Sequence, residues 1–260
     1  MHRDRTITVV LISVIILLVL VKYHSKATTD NVIYDPETKI VNLDSLTLKQ
    51  KIAQMIVVYG IPENKDEFQR LLIGGVHLVA KESKDDYITA IKHFQTNSTI
   101  PLFITVDLEG CINPFENFVN FTTFKDVKDE TEAYALGRAQ GKILKEIGFT
   151  TNFSPVVDLE DTIWGCRAFT GNPSEIVTKA NAYIDGLKEF DIIASAKHYP
   201  GKTLIIQDTH KYEVFATIDD NDLYPFKATI QHNVSAVMVS HLIVKGRLDS
   251  GERPSTISTP

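Results

Sequence analysis

Several common signatures of protein chemistry are missing from this 260-residue sequence, and each absence removes a class of function. No glycine-rich phosphate loop of the P-loop or dinucleotide type follows any strand-like run, which argues against a nucleotide enzyme. Basic charge is not in excess: 27 Lys and Arg face 33 Asp and Glu, and the net charge is −6 at pH 7. A nucleic-acid binder needs a basic face to neutralise phosphates, so that class is disfavoured. Low-complexity tracts and internal repeats are absent. There is no HExxH and no paired-cysteine spacing, so a zinc hydrolase would have to gather distant ligands. His198, Asp208, His210 and His241 are the candidates, since imidazole and carboxylate both suit zinc. Only two cysteines occur, Cys111 and Cys166, and none follows the N-terminal apolar run, which excludes a lipoprotein. What is present is an ordinary globular composition, 43% hydrophobic and 23% charged. The chain is long enough for one large α/β domain or two small ones.

The N-terminus is unlike the rest. MHRDR is basic, and TITVVLISVIILLVLV (residues 6–21) is almost wholly apolar. At about 1.5 Å per residue that run falls slightly short of a ~30 Å hydrocarbon core, and the residues to Tyr23 extend it. Positive charge ahead of it predicts a cytoplasmic N-terminus and an exported bulk, at the cell surface or in the periplasm. Residues 1–23 therefore read as an uncleaved signal anchor. The alternatives are a signal peptide cut after Ser25-Lys26-Ala27, giving a secreted product, and a buried core helix. A polar linker covers residues 24–43. In the exported part a disulfide would persist, although two separate thiols at Cys111 and Cys166 fit the sequence nearly as well.

Downstream, apolar runs alternate with helix-like stretches. LTLKQKIAQM, preceded by Asp44-Ser45 as N-caps, reads as a helix, and IVVYG as a strand. GGVHLVA (74–80), PLFITVD (101–107), TNFSPVVD (151–158), IIASAKHY and SAVMVSH (235–241) are further strands. Between them, DDYITAIKHFQTN, ETEAYALGRAQGKILKEIG and PSEIVTKANAYIDGLKEF are helices; the second stops at Gly148 and the third opens with Pro173. This alternation implies a parallel sheet with crossover helices. Asp107, Asp158, Lys197-His198 and Ser240-His241 fall at the strands' C-terminal ends. That is where a (β/α) barrel carries its active site, and a doubly wound sheet shares the habit. About six strands are countable.

Six residues at four places in the chain point to chemistry. Asp107 closes an otherwise apolar strand, where a carboxylate is costly unless partnered or exposed; it is either a structural ion pair or an acceptor for substrate hydroxyls. Arg167, in WGCRAF, either stacks on Trp164 or Phe169 or offers a rigid bidentate donor. Lys197 and His198 point to opposite faces of a regular strand, and serve one pocket only if the chain turns, as Pro200-Gly201 suggests. Asp208 and His210, at i and i+2, share a side in extended geometry. The carboxylate can then orient an imidazole able to give and take a proton near neutral pH; an incidental surface loop is the plain alternative.

Taken in order, LTLKQKIAQM, GGVHLVAKE, PLFITVDLEG, FSPVVDL, GCRAF, SAKHYPG, DTH and AVMVSH resemble the N-terminal barrel domain of family 3 glycoside hydrolases. Within the family the resemblance is greatest to bacterial β-N-acetylglucosaminidases (β-N-acetylhexosaminidases). It covers residues 44–260 and implies a (β/α)8 TIM-type barrel, here truncated after about six strands. It further implies that Asp107, Arg167, Lys197 and His198 hold the terminal sugar, that His210 is the acid/base and that Asp208 is its partner. The implied reaction is retaining hydrolysis of terminal N-acetylhexosamine from cell-wall-type glycans, with no metal or organic cofactor. The family's nucleophilic Asp lies on the strand after Ser240-His241, and residues 1–260 do not include it; a chain that continues is the expectation. A non-catalytic carbohydrate-binding relative is the alternative from a different class. Two departures predict altered specificity: CINPF follows VDLEG where the family has a second Gly and arginines, and Lys202-Thr203 follows Pro200-Gly201. Cys111 and Cys166 both fall beside the implied pocket, where a disulfide would tie the Asp107 loop to the Arg167 loop.

Overall fold

The computed structural model describes residues 32–258. The anchor expected at residues 1–23 lies outside them; among the described residues no helix is long and apolar enough to cross a membrane. Two compact units are present. The smaller takes the chain to Ile56 together with Glu63–Gly74 and Asn97–Pro101; the larger takes Val57–Pro62, Gly75–Thr96 and the chain from Leu102.

In the smaller unit, β1 (Tyr34–Asp35) pairs antiparallel with β2 (Ile40–Val41), and two short helices follow, α1 (Leu48–Ala53) and α2 (Lys65–Leu71). Leu46, Leu72 and Ile100 are buried together, with Val32 and Val41 against them. The N-cap of α1 is Thr47 rather than Asp44-Ser45, which belong to a preceding 3-10 turn. Thr47 and Gln50 cap each other reciprocally, and this box sits closer to the helical run than the Asp-Ser pair does.

The larger unit is built on a six-stranded parallel sheet. Its strands are β3 (Val57–Tyr59), β4 (Gly75–His77), β5 (Phe103–Val106), β6 (Thr151–Asn152), β7 (Ile193–Tyr199) and β9 (Ala236–Val239), hydrogen-bonded in that order. Helices α3 (Lys84–Gln95), α4 (Glu130–Ile147), α5 (Pro173–Lys188) and α6 (Asp220–Gln231) alternate with them. Each new strand of the sheet joins on the same side as the last. That is the singly wound order of a barrel wall, and the reversal that marks a doubly wound sheet is absent among the described strands. A separate parallel pair, β8 (Phe215–Thr217) with β10 (Ile243–Lys245), was not foreseen from the sequence. Val214, Ile218, Leu223 and Leu242 are buried with it.

Helix ends follow local rules. Asp129 caps α4 at the Glu132 amide, and Gly148 ends the helix at φ +107°. Asn172 and Glu175 form a capping box around Pro173 at the start of α5. One strand differs from expectation. TNFSPVVD is hydrogen-bonded as a strand only at Thr151–Asn152, because Pro155 has no N–H to continue the ladder. The segment still runs beside β7, with Lys197 N donating to Pro155 O at 3.0 Å and Val157 N to Lys197 O at 2.8 Å.

Helices α4 and α5 cross closely because glycines line the contact. A Cβ on Gly137 would fall 2.3 Å from Tyr183 O, and one on Gly186 would fall 2.6 Å from Tyr134 O. Gly137→Ala is therefore expected to lower stability by about 1–3 kcal/mol through overpacking. Alanine is the better helix former by about 1 kcal/mol, so propensity alone predicts the opposite sign. Chemical denaturation of the two proteins decides between them; a more stable variant would mean the helices part at no cost.

Candidate active site

A cavity of about 590 Å³ lies over the C-terminal ends of the six strands, and every strand contributes a wall residue. Tyr59 comes from β3, His77 from β4, Asp107 from just beyond β5, Phe153 from just beyond β6, Lys197 from β7 and Met238 from β9. The parallel register brings them level: Tyr59 pairs with His77, His77 with Thr105, and Lys197 with Met238.

The polar floor is an alternating set of charges. Lys197, 2% exposed, places Nζ 2.6 Å from Asp107 Oδ1 and 2.8 Å from Glu109 Oε2. The Glu109 contact is an ionic approach rather than an aligned hydrogen bond, since Oε2 lacks a hydrogen-bond partner of good geometry. Arg167 grips the other Glu109 oxygen, Nε donating at 3.1 Å with Nη2 close by. Burial pushes the Asp107 carboxyl up, but the Lys197 ammonium outweighs it, with help from His77 and Arg167, and the net direction is down. Asp107 is thus an ionised acceptor whose side chain remains 38% open, available to hydroxyl donors. His77 Nε2 is 3.6 Å from Asp107 Oδ2, and its ring stacks on Phe153. Burial and the Lys197 charge depress the His77 imidazole below its usual range, against the pull of Asp107.

Lys197 and His198 line the same cavity although they are neighbours. The pairing of β7 with β9 slips between Lys197 and Tyr199, and this irregularity re-aims the side chains. His198 is held by Asp158: both its backbone N and Nδ1 donate to Oδ2, each at 2.9 Å. Arginine only donates, so the 3.4 Å approach of Arg167 Nη2 assigns Nε2 as the acceptor and Nδ1 as the protonated nitrogen. Behind the floor, Asn152 brackets Leu108 with two hydrogen bonds, fixing the Asp107–Glu109 segment. Asn152 in turn bonds Tyr183 of α5, which bonds Gln140 of α4. The close crossing of the two helices therefore reaches the site through two side chains.

The Arg167 loop is clamped twice. Asp161 accepts from the backbone amides of Trp164, Cys166 and Arg167, at 2.8, 3.0 and 2.8 Å. Burial raises the Asp161 carboxyl, but these amides outweigh it and hold it below the usual carboxylate range. Cys166 is disulfide-bonded to Cys111, with Cα atoms 5.4 Å apart. Gly110, at φ +49°, permits the approach, since a Cβ there would lie 2.3 Å from Cys166 O. Arg167 packs against Trp164, its guanidinium carbon 5.6 Å from the ring centroid. The disulfide closes a span of 55 residues, and its removal is expected to cost about 2–4 kcal/mol. Cys111→Ser/Cys166→Ser and wild type, compared in denaturant without reductant, give the number. A difference below about 0.5 kcal/mol would show the clamp to be energetically idle.

At the rim, Asp208 Oδ1 accepts from His210 N at 3.0 Å and from His210 Nδ1 at 2.9 Å. These bonds, the backbone one first, hold Asp208 below the usual carboxylate range. His210 is 71% exposed at its side chain, with Nε2 directed away from the bond to Asp208. His241 lies edge-on to His210, ring centroids 5.9 Å apart, and does not line the cavity. The zinc set His198, Asp208, His210 and His241 is not assembled; no group of three or more metal-ligating side chains is arranged to hold an ion among the described residues. His198 is already committed to Asp158 and Arg167.

Lys202, which follows Pro200-Gly201 where the resemblance implies His or Asn, turns away from the cavity to Asp222 at 3.0 Å and Thr217 O at 2.9 Å. Thr203 donates its amide to Asp158. Sequence reasoning assigned no role to Glu109, His77 or Asp158. VDLEG places Glu109 two residues past Asp107, the only visible signal for it.

The profile described as "Glycosyl hydrolase family 3 N terminal domain" matches residues 47–259. A β-hexosaminidase of Mycobacterium tuberculosis, LpqI, is 27% identical over 237 residues, covering 82% of this chain and 59% of that one. A β-hexosaminidase of Nitrosomonas eutropha is 29% identical over 193 residues, covering 66% and 56%. The chain thus spans less than two thirds of the length of these curated relatives. Among solved structures, a β-N-acetylhexosaminidase of Beutenbergia cavernae superposes with a TM-score of 0.73 at 20% identity, covering 80% of this chain and 71% of that one. At that identity the likeness speaks to the fold alone.

Proposed function

This chain belongs to glycosyl hydrolase family 3, and from that premise we propose that it releases terminal β-N-acetylhexosamine, N-acetylglucosamine foremost, from cell-wall-type glycans by retaining hydrolysis. The observation that carries the reading is the pairing of a fixed polar floor with a proton donor at the rim of one cavity. Asp107 is oriented by Lys197 and accepts sugar hydroxyls, Lys197 and Arg167 offer the complementary donors, and His198 presents Nε2 as an acceptor beside Arg167. His210 gives its Nε2 proton to the departing oxygen, and Asp208 holds the ring by Nδ1 and steadies the charge before transfer. In the second half-reaction the same imidazole takes a proton from the attacking water. The carboxylates of the cavity are each engaged, Asp107 and Glu109 by Lys197 and Asp208 by His210. The bond to the anomeric carbon that replaces the broken glycosidic bond is therefore assigned to the aspartate expected on the strand after Ser240-His241, and water then displaces that carboxylate.

The curated relatives carry the name β-hexosaminidase, which favours an N-acetylated sugar. The basic, then apolar, N-terminus supports a catalytic unit outside the cytoplasm, membrane-anchored or secreted, as part of this reading. A disulfide beside the site suits that compartment. The test is NMR of the full chain with methyl N-acetyl-β-glucosaminide and methyl β-glucoside. Release of N-acetylglucosamine first as the β anomer supports the reading. Saturable binding without turnover supports the non-catalytic binder, and no binding of either sugar ends both.

A further inference from the structure

Trp164 is the only tryptophan in the sequence, and the chemistry above leaves it unused. It lines the cavity yet remains 48% exposed, so one part of the indole is free for a ligand. Its position is fixed in advance. Asp161 holds the Trp164 amide, the disulfide at Cys166 anchors the next turn, and the Arg167 guanidinium rests against the ring. An aromatic surface held this way binds with little ordering cost.

Its location also follows from hydrogen bonds. Thr162 N and Ile163 N donate to Leu204 O at 2.9 and 3.2 Å, and Thr162 Oγ1 donates to Ile205 O. The Trp164 loop is therefore bonded to the same loop that runs on to Asp208 and His210. Deeper in the cavity, Asp107, Lys197 and His198 are the groups for the terminal sugar. A wall joined to the acid/base loop belongs on the other side of the bond being cleaved.

We propose that Trp164 is the platform for the sugar on the leaving-group side of the scissile bond, stacking one C–H-rich face of a pyranose ring on the indole. The inference rests on the hydrolase reading and adds a preference for glycans over small aglycones. A β-linked pyranose carries axial C–H groups on one face, and the negative face of the indole complements them. The departing sugar is thereby held while His210 protonates its oxygen.

Two experiments separate this proposal from the reading beneath it. Trp164 is the sole tryptophan of the 260 residues, and the part of the emission change that Trp164→Phe removes reports the subsite. In full-length protein with an inactivating His210→Ala change, N,N′-diacetylchitobiose is expected to shift the emission saturably, and methyl N-acetyl-β-glucosaminide to shift it far less. Calorimetry run in parallel identifies binding. If neither sugar binds, the hydrolase reading fails and the platform with it. If both bind equally tightly and the emission stays unchanged, the platform alone is overturned. In the active protein, Trp164→Ala is expected to reduce kcat/KM on the disaccharide about tenfold more than on the methyl glycoside. Trp164→Tyr should restore most of that selective loss. Equal losses on both substrates would mean that the indole only supports Arg167, and would overturn the proposal.

Discussion

Replacing Lys197 with methionine is expected to cost about 3–5 kcal/mol of folding stability and to abolish sugar binding. Methionine fills nearly the same space, so packing is almost conserved and the lost charge is the main change. Lys197 Nζ faces Asp107 at 2.6 Å and Glu109 at 2.8 Å, and Glu109 is 1% exposed. Without the ammonium, two groups remain for two carboxylates: Arg167 on Glu109, and His77 at 3.6 Å from Asp107. The depressed His77 imidazole is a poor substitute cation. A buried charge stripped of its partner costs more than the intact pair ever contributed, which is why one removal is severe. Denaturant unfolding gives the value. The double variant Lys197→Met/Asp107→Asn should regain part of it, because the carboxylate left without a charged partner has gone. A loss below about 1 kcal/mol in the single variant would show that water reaches the carboxylates and that the floor is not dry.

On the hydrolase reading, His210→Ala should lower kcat by about 10²–10⁴-fold while changing stability by less than about 0.5 kcal/mol. The split follows from geometry: the ring is 71% exposed and touches little besides Asp208 and His241. A structural histidine would give the reverse pattern. The loss should be greatest with a methyl or sugar leaving group and much smaller with a nitrophenolate, which departs without a proton. Asp208→Asn should show the same trend more weakly. Asp208 is held below the usual carboxylate range, so it stays ionised near neutral pH and remains an acceptor through the turnover. Equal losses on both leaving groups would remove His210 from proton transfer.

Part of this site was legible in the chain because its elements are local. Asp208 and His210 are two residues apart, and their hydrogen bonds are made within that turn. Gly148 and Pro173 mark helix boundaries through their own backbone preferences. Strand ends carrying Asp107 and Lys197-His198 stand out because polar residues interrupt apolar runs. Other features resisted the same reading. TNFSPVVD has a strand's pattern, but a proline inside it broke the ladder. Thr47 displaced the Asp44-Ser45 cap, which lies farther from the helical run, through a reciprocal bond with Gln50.

The sequence by itself determined the alternation of strands and helices, the family resemblance, the imidazole–carboxylate dyad and the choice of polar residues at the strand ends. Each rests on chemistry within a few residues or on a periodic pattern. Tertiary structure alone decided which charge answers which. Glu109 and Arg167 are 58 residues apart and Asp107 and Lys197 are 90 apart, yet both pairs close in one floor. In a parallel sheet, neighbouring strands are separated in the chain by a crossover helix, so spacing carries no record of adjacency. Register and burial then turn the unremarked glutamate of VDLEG into the anion that Lys197 and Arg167 share.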